Sequence, residues 1–162
     1  MIGYLEGTLL TASERGCLVL TSGGVGYDLF LPASLLCRRP AKGEKVAYFV
    51  STVVREDALE LYGFASFDER ETFETLISIS RLGPKTAMAI LSHFSTEELR
   101  HLAAGDDVHA LTRVPGIGAK SAQHIFLELK YKLKALAPAG EPPPAADPAG
   151  SALRDALSGL CN

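Results

Sequence analysis

The spacing of hydrophobic and polar positions divides the chain into a strand-rich part followed by a helical part. Up to Phe64, short runs of β-branched, aromatic and aliphatic residues alternate with Gly, Pro and charged residues, which is typical of β-strands. The runs cover 2–10, 17–21, 25–31, 45–54 and 58–64. Five short strands without a long helix between them predict a small closed barrel of the oligonucleotide/oligosaccharide-binding (OB) type, with an SH3-like barrel as the alternative.

From Ser66 onwards the apolar residues recur at helical spacing. Ser66 with Glu69, and Ser95 with Glu98, match the capping-box pattern that begins helices. The predicted fold class is therefore multidomain, β then α, with an N-terminal five-stranded OB-fold barrel over 1–64 and a helical domain over 65–136. Residues 137–150 are rich in proline and predict an extended linker. Residues 151–162 predict one further helix, which is too short to fold alone.

The helical part contains a Gly-apolar-Gly turn, Gly116-Ile117-Gly118, between two helical stretches. This is the pattern of the helix-hairpin-helix motifs of DNA-binding proteins. The glycines allow a sharp turn and a close approach to a partner, and the free N–H groups of the helix start beside Lys120 suit a phosphate oxygen. For a single motif, an ordinary turn between core helices is the alternative.

A second copy of this motif lies 35 positions earlier, which is the distance from Arg81 to Gly116. Leu76, Ile79, Leu82, Gly83, Lys85, Ala87, Ile90 and Leu91 fall on Leu111, Val114, Ile117, Gly118, Lys120, Ala122, Ile125 and Phe126. In this copy Arg81 replaces the first glycine, and arginine lacks the freedom of glycine at positive φ. The two motifs predict a DNA-binding surface made of Arg81, Leu82, Gly83, Lys85, Thr86, Gly116, Ile117, Gly118, Lys120 and Ser121.

Composition excludes several classes of protein. The chain has 162 residues, of which 47% are hydrophobic and 22% charged, and no apolar run approaches the ~20 residues of a membrane helix. We therefore expect a cytoplasmic protein without a membrane segment. Three widely spaced cysteines and scattered histidines predict no disulfide framework and no metal site, and no catalytic residue or cofactor is indicated. Because the net charge is −3, affinity for DNA has to come from local placement of the cations.

For two clusters of charged residues, the residues alone predict a structural role and no binding role. Glu56 and Asp57 lie side by side between the last two predicted strands, and acidic residues at an exposed hairpin tip usually form a solvated turn. Lys130, Lys132 and Lys134 lie near the end of the last predicted helix, where lysines complement the helix dipole.

Several stretches, taken together and in order, resemble the RuvA family, which recognises Holliday junctions. They are 1–3 with Gly7, 23–27, 53–57 with 61–64, 83–85 with Ala87, and 114–118. The resemblance covers residues 1–136 and implies a homotetramer that holds four-way junction DNA open during DNA recombination, DNA repair and the SOS response. It implies a RuvB-type ATPase motor for branch migration and a RuvC-type resolvase as partners. It also implies that the chain is a non-catalytic subunit of a helicase complex, and that Glu56 and Asp57 form an acidic pin near the crossover.

Three features depart from the family pattern. Arg81 replaces a glycine, Ala119 and His124 stand where basic residues are common, and 151–162 corresponds only to the start of the motor-binding domain, which we expect to be truncated.

Two other functions remain open from the residues. A helix-hairpin-helix DNA repair enzyme would carry a catalytic Asp after the hairpin, but the next one after Gly118 is Asp147, in the proline-rich stretch. A single-strand-binding OB-fold protein would need exposed aromatic residues, whereas the core is predicted to hold Tyr27, Phe30, Tyr48 and Phe49.

Overall fold

The computed structural model of the protein describes residues 1–38, 40–105 and 107–135. The predicted linker at 137–150 and the predicted domain start at 151–162 lie outside the described residues.

The strands form one closed barrel in the order β1-β2-β3-β5-β4. They are β1 (Tyr4–Ala12), β2 (Gly16–Leu20), β3 (Gly26–Phe30), β4 (Lys45–Val54) and β5 (Leu59–Phe64). Strand β1 pairs antiparallel with both β2 and β4, and a parallel contact of Phe30 with Tyr62 closes the barrel between β3 and β5. The predicted OB-type barrel is confirmed. A short helix, α1 (Ala33–Leu36), follows β3 and was not predicted.

Alternation along the strands decides which side chains fill the barrel. Leu5 and Leu9 of β1 point inward and are almost completely buried. In β3 the buried residue is Leu29, so its neighbour Phe30 points outward, remains 36% exposed and stacks on the ring of Tyr62 at 5.3 Å. The prediction that Phe30 belongs to the core is therefore wrong. For the other three aromatic residues, Tyr48 is buried, and Tyr27 and Phe49 are half-buried.

The second part of the chain is helical, as predicted. It consists of α2 (Phe67–Ile77), α3 (Pro84–His93), α4 (Thr96–Ala104), a 3-10 helix (Val108–Arg113) and α5 (Ala119–Ala135). Ser95 and Glu98 make both hydrogen bonds of a capping box at the start of α4. Ser66 caps α2 by accepting from the N–H of Glu69.

The barrel and the helices share a hydrophobic core. Tyr62 and Phe64 of β5 belong to the same buried cluster as the inner faces of the helices. The ring of Phe73 on α2 lies 4.9 Å from that of Tyr62 and 5.0 Å from that of Phe64. Only two residues, Ala65 and Ser66, separate β5 from α2, so the helices are held directly against the barrel.

Candidate nucleic-acid interface

The two hairpin turns repeat each other bond for bond. We define the first turn as residues 80–84 and the second turn as residues 115–119. Before the turns, the bond from Ile79 N to Leu76 O (3.0 Å) matches that from Val114 N to Leu111 O (3.2 Å). Within the turns, Leu82 N to Ile79 O (3.2 Å) matches Ile117 N to Val114 O (3.1 Å). At the helix starts, Ala87 N to Gly83 O (3.0 Å) matches Ala122 N to Gly118 O (2.8 Å). The internal repeat predicted from the sequence is therefore also a structural repeat.

Arg81 takes the backbone conformation that its glycine counterpart has. Its φ is 66°, and that of Gly116 is 89°. Arginine is expected to lack this freedom, yet the turn closes in the same way with a side chain present. Left-handed backbone costs a non-glycine residue about 1 kcal/mol or more, so the surrounding contacts must hold Arg81 in place.

The N-termini of α3 and α5 differ from those of α2 and α4. The first turns of α2 and α4 contain acidic residues and follow a capping serine; the acids are Asp68 and Glu69 in α2 and Glu97 and Glu98 in α4. The first turns of α3 and α5 contain no acidic residue, and no side chain caps α3 at Gly83. The N–H groups at the start of α3 and the positive end of its dipole are therefore available to an anion, and the first turn of α5 likewise has no acidic residue that would compete with one.

The cations around these helix starts are exposed. Arg81, Lys85, Arg113 and Lys120 all face solvent. Within the described ranges, the ion pairs involve other cations, namely Arg55 with Glu60, Arg70 with Glu74 and Arg100 with Asp68. The hairpin cations consequently keep their charge available for a phosphate.

The remaining predicted site residues differ in how far they are buried. Leu82 and Ile117 are buried and anchor the turns to the helical core, so only their backbone can face a partner. Ser121 is exposed and Thr86 is half-buried. A Cβ added at Gly83, Gly116 or Gly118 would meet no atom within 4 Å, which means that the space above all three glycines is open.

Glu56 and Asp57, the residues of the predicted acidic pin, occupy the tip of the β4–β5 hairpin. The tip is closed by a 2.8 Å bond from the N–H of Arg55 to the carbonyl of Ala58, and both carboxylates are exposed. The guanidinium of Arg55 lies 3.8 Å from Glu60 further along the hairpin. The pin is part of the barrel, whereas the two turns are part of the helical region. The two candidate sites therefore lie on different parts of the same chain.

Glu60 also accepts a 2.9 Å hydrogen bond from the hydroxyl of Tyr62. Burial of Tyr62 and this hydrogen bond raise the pKa of its phenol. The phenol therefore stays protonated, as a donor to a carboxylate must.

Polar contacts from α5 to the first turn and to the residues just before it are absent from the sequence-based prediction. Nε2 of His124 lies 3.0 Å from Oγ and 3.2 Å from the carbonyl oxygen of Ser80. Nζ of Lys132 donates to the carbonyl oxygen of Ser78 at 3.1 Å and to its Oγ at 2.6 Å. Lys132 was expected to complement the dipole of its own helix. Instead it binds the C-cap residue of α2.

Both the barrel and the helical part of the chain match known protein families. The model of the RuvA N terminal domain matches residues 1–63, and that of the SAM-like helix-hairpin-helix tandem matches residues 73–131. A protein of Nitratidesulfovibrio vulgaris (strain DP4), named Holliday junction branch migration complex subunit RuvA, is 57% identical over 163 positions, which cover 100% of this chain and 81% of that protein. The chain belongs to the RuvA family.

Two other organisms carry similar RuvA proteins of the same name. That of Solidesulfovibrio magneticus is 56% identical across 100% of this chain and 80% of its own length. That of Laribacter hongkongensis is 47% identical across 90% of this chain and 73% of its own length. In this RuvA-family chain the acidic pin lies inside the N-terminal match and both hairpin turns lie inside the tandem match.

Metal clusters and membrane spans are both absent from the described part of the chain. It contains no group of three or more His, Cys, Asp or Glu residues placed to hold a metal ion. None of its helices is both long enough and apolar enough to cross a membrane.

Proposed function

We propose that this chain is the non-catalytic DNA-binding subunit of a branch migration complex, and that it recognises Holliday junctions and holds them open. The observation that carries the proposal is the repeated pair of helix starts whose first turns contain no acidic residue and carry an exposed lysine. The supporting comparison is with proteins that are named as RuvA subunits of such a complex.

Each hairpin would hold one stretch of phosphate backbone. Main-chain N–H groups at the starts of α3 and α5 donate to phosphate oxygens, and Lys85 and Lys120 supply the charge. The open space above Gly83 and Gly118 lets the backbone of the DNA approach closely. Such contacts fix the position of a duplex without reading its bases, which suits a protein that recognises the shape of a junction.

The acidic pin would act in a homotetramer with fourfold symmetry. Four hairpin tips would gather near the axis, where the four DNA arms meet, and their carboxylates would repel phosphates from the crossover. A RuvB-type ATPase would supply the work of branch migration in the cytoplasm, and a RuvC-type resolvase would act on the same junction. In this arrangement residues 1–64 provide the pin, residues 65–136 grip the arms, and residues 151–162 would begin the motor-binding part.

The test compares binding to four-way, duplex and single-stranded DNA of the same sequences. We expect the tightest binding to the four-way junction. Lys85→Ala and Lys120→Ala should each weaken it, and each should lower the slope of log K against log salt by about one unit for every phosphate that the lysine neutralises. Lys42→Ala, which removes an exposed lysine from a barrel loop, is the control for the change in net charge. An unchanged slope in both hairpin variants would overturn the assignment of the hairpins, and a preference for single strands would favour the OB-fold alternative.

A further inference from the structure

We infer that His124 is a positioning residue that holds the first turn in its phosphate-binding shape. The inference rests on the proposed function of the hairpins. It starts from the two contacts of His124 Nε2 with Ser80, at 3.0 Å to Oγ and 3.2 Å to the carbonyl oxygen. Ser80 directly precedes Arg81, whose φ is 66°. His124 therefore holds the peptide group that leads into the left-handed residue.

The chemistry of this contact gives His124 the role of donor. A carbonyl oxygen only accepts, so the bond to Ser80 O requires a proton on Nε2. That N–H can reach the hydroxyl oxygen of Ser80 as well, which fixes both the backbone and the side chain of one residue.

A second contact from the same helix supports the same segment. Lys132 lies eight residues, or about two helical turns, beyond His124 on α5 and donates to Ser78. Ser78 and Ser80 are thus both tied to one face of α5. Since α5 begins in the second turn, this helix connects the two proposed phosphate sites rigidly.

The repeat shows why only the first turn needs such support. Ser80 and Arg81 correspond to Pro115 and Gly116 in the second turn. The ring of Pro115 fixes its own φ, and Gly116 adopts a φ of 89° without a steric penalty. At these two positions the first turn has neither a proline nor a glycine, and it makes the same backbone bonds with a serine and an arginine. The bonds from His124 take the place of the conformational preference that proline and glycine supply in the second turn.

The experiment measures the Kd of the full chain for a four-way junction in two backgrounds, the native one and Arg81→Gly. In the native background His124→Leu should weaken binding by roughly threefold to tenfold, the size of one net hydrogen bond. His124→Gln should recover most of the affinity, because its amide nitrogen can still donate to Ser80. In the Arg81→Gly background the loss caused by His124→Leu should largely disappear, because glycine adopts the turn unaided.

Two controls separate this role from a general loss of stability. Gln123→Leu changes the exposed neighbour on α5 and should leave the Kd unchanged. If His124→Leu fails to fold, His124→Asn replaces it, since its shorter amide does not reach Ser80 whereas that of His124→Gln does. Equal losses in both backgrounds, or no difference between the Gln and Asn variants, would overturn the inference.

Lys85→Ala and Lys120→Ala are measured alongside. If neither lysine matters, the proposed function of the hairpins fails. If Lys85→Ala weakens binding and His124→Leu does not, the hairpins bind DNA and only the positioning role of His124 is wrong.

Discussion

At the scale of single residues, the glycines of the two turns have different tasks. Gly116 is needed for its backbone conformation, with a φ of 89°. Gly118 lies outside the left-handed region, and a Cβ there would meet no atom of the protein. No steric contact inside the described structure requires a glycine at position 118, and the proposed approach of the DNA backbone would account for it.

Gly118→Ala should therefore fold normally and bind four-way junctions about tenfold more weakly, which corresponds to ~1.4 kcal/mol. The added methyl group would occupy the space through which the DNA backbone approaches the start of α5. Gly23→Ala is a matched control, since a Cβ at that loop glycine also meets nothing. Thermal unfolding and junction affinity are measured for both variants. A junction affinity equal to that of the control would show that DNA does not approach Gly118.

The cysteines give a prediction about reactivity. Cys17 is buried in the barrel, and burial raises the pKa of its thiol to about 11, whereas Cys37 is exposed. Only the thiolate attacks an alkylating reagent, and below its pKa the thiol stays protonated. At pH 8 a brief treatment of the native protein with iodoacetamide should modify Cys37 and spare Cys17, as read by peptide mass spectrometry. Guanidinium should make Cys17 reactive, and equally fast labelling of both in the native protein would contradict the buried position.

At the scale of elements, local patterns predicted the strands and helices well. A run of β-branched, aromatic and aliphatic residues predicted β4 at its observed bounds, and the cap signal predicted that α4 begins directly after Ser95. What could not be predicted depends on residues far apart in the chain. The contact that supports the left-handed conformation of Arg81 joins Ser80 to His124, and no local pattern in the sequence predicts a contact between positions so far apart.

The strands, the helices and the acidic hairpin tip could thus be predicted from local patterns in the sequence, and the repeat from the match between two segments 35 positions apart. The polar contacts that hold the first turn could not, because packing between distant helices decides them. The outward position of Phe30 was missed for a related reason. Its strand alternates, but the composition of the strand does not reveal which of its faces points into the barrel.

The two kinds of helix start also give a prediction. Ser95→Ala removes both the capping hydroxyl and a partner of Glu98 at α4, which should lower the free energy of unfolding by ~1 kcal/mol. Junction affinity should stay the same, since this start is already capped by the protein itself. Chemical denaturation and junction binding are measured on the same sample. A large loss of affinity with little loss of stability would place the start of α4 in the DNA-binding surface.

At the scale of the whole molecule, the proposed tetramer determines what the acidic pin does. One pin carries two exposed carboxylates, Glu56 and Asp57, and four pins would meet near the crossover. Repulsion between exposed charges is screened over about 10 Å at 0.1 M salt, so its effect should be largest at low ionic strength.

Replacing Glu56 by Gln together with Asp57 by Asn keeps size and polarity while removing the charge. The double variant should fold and assemble normally, bind linear duplex more tightly and discriminate less between junction and duplex. The measurement is the ratio of the two affinities at two salt concentrations. Glu6→Gln with Glu71→Gln removes two exposed charges elsewhere and is the control. A ratio that matches this control would mean that the pin is only a solvated turn.

The shared core of barrel and helices has a mechanical consequence for the proposed complex. In that complex, a motor that pulled on bound DNA would apply force at the starts of α3 and α5. Because Phe73 packs on both Tyr62 and Phe64, this force passes into the barrel through closely packed rings, with only Ala65 and Ser66 between β5 and α2. In the proposed complex the hairpin tip would therefore keep its distance from the starts of α3 and α5 while the DNA moves, and the strands would separate at the same place in every step.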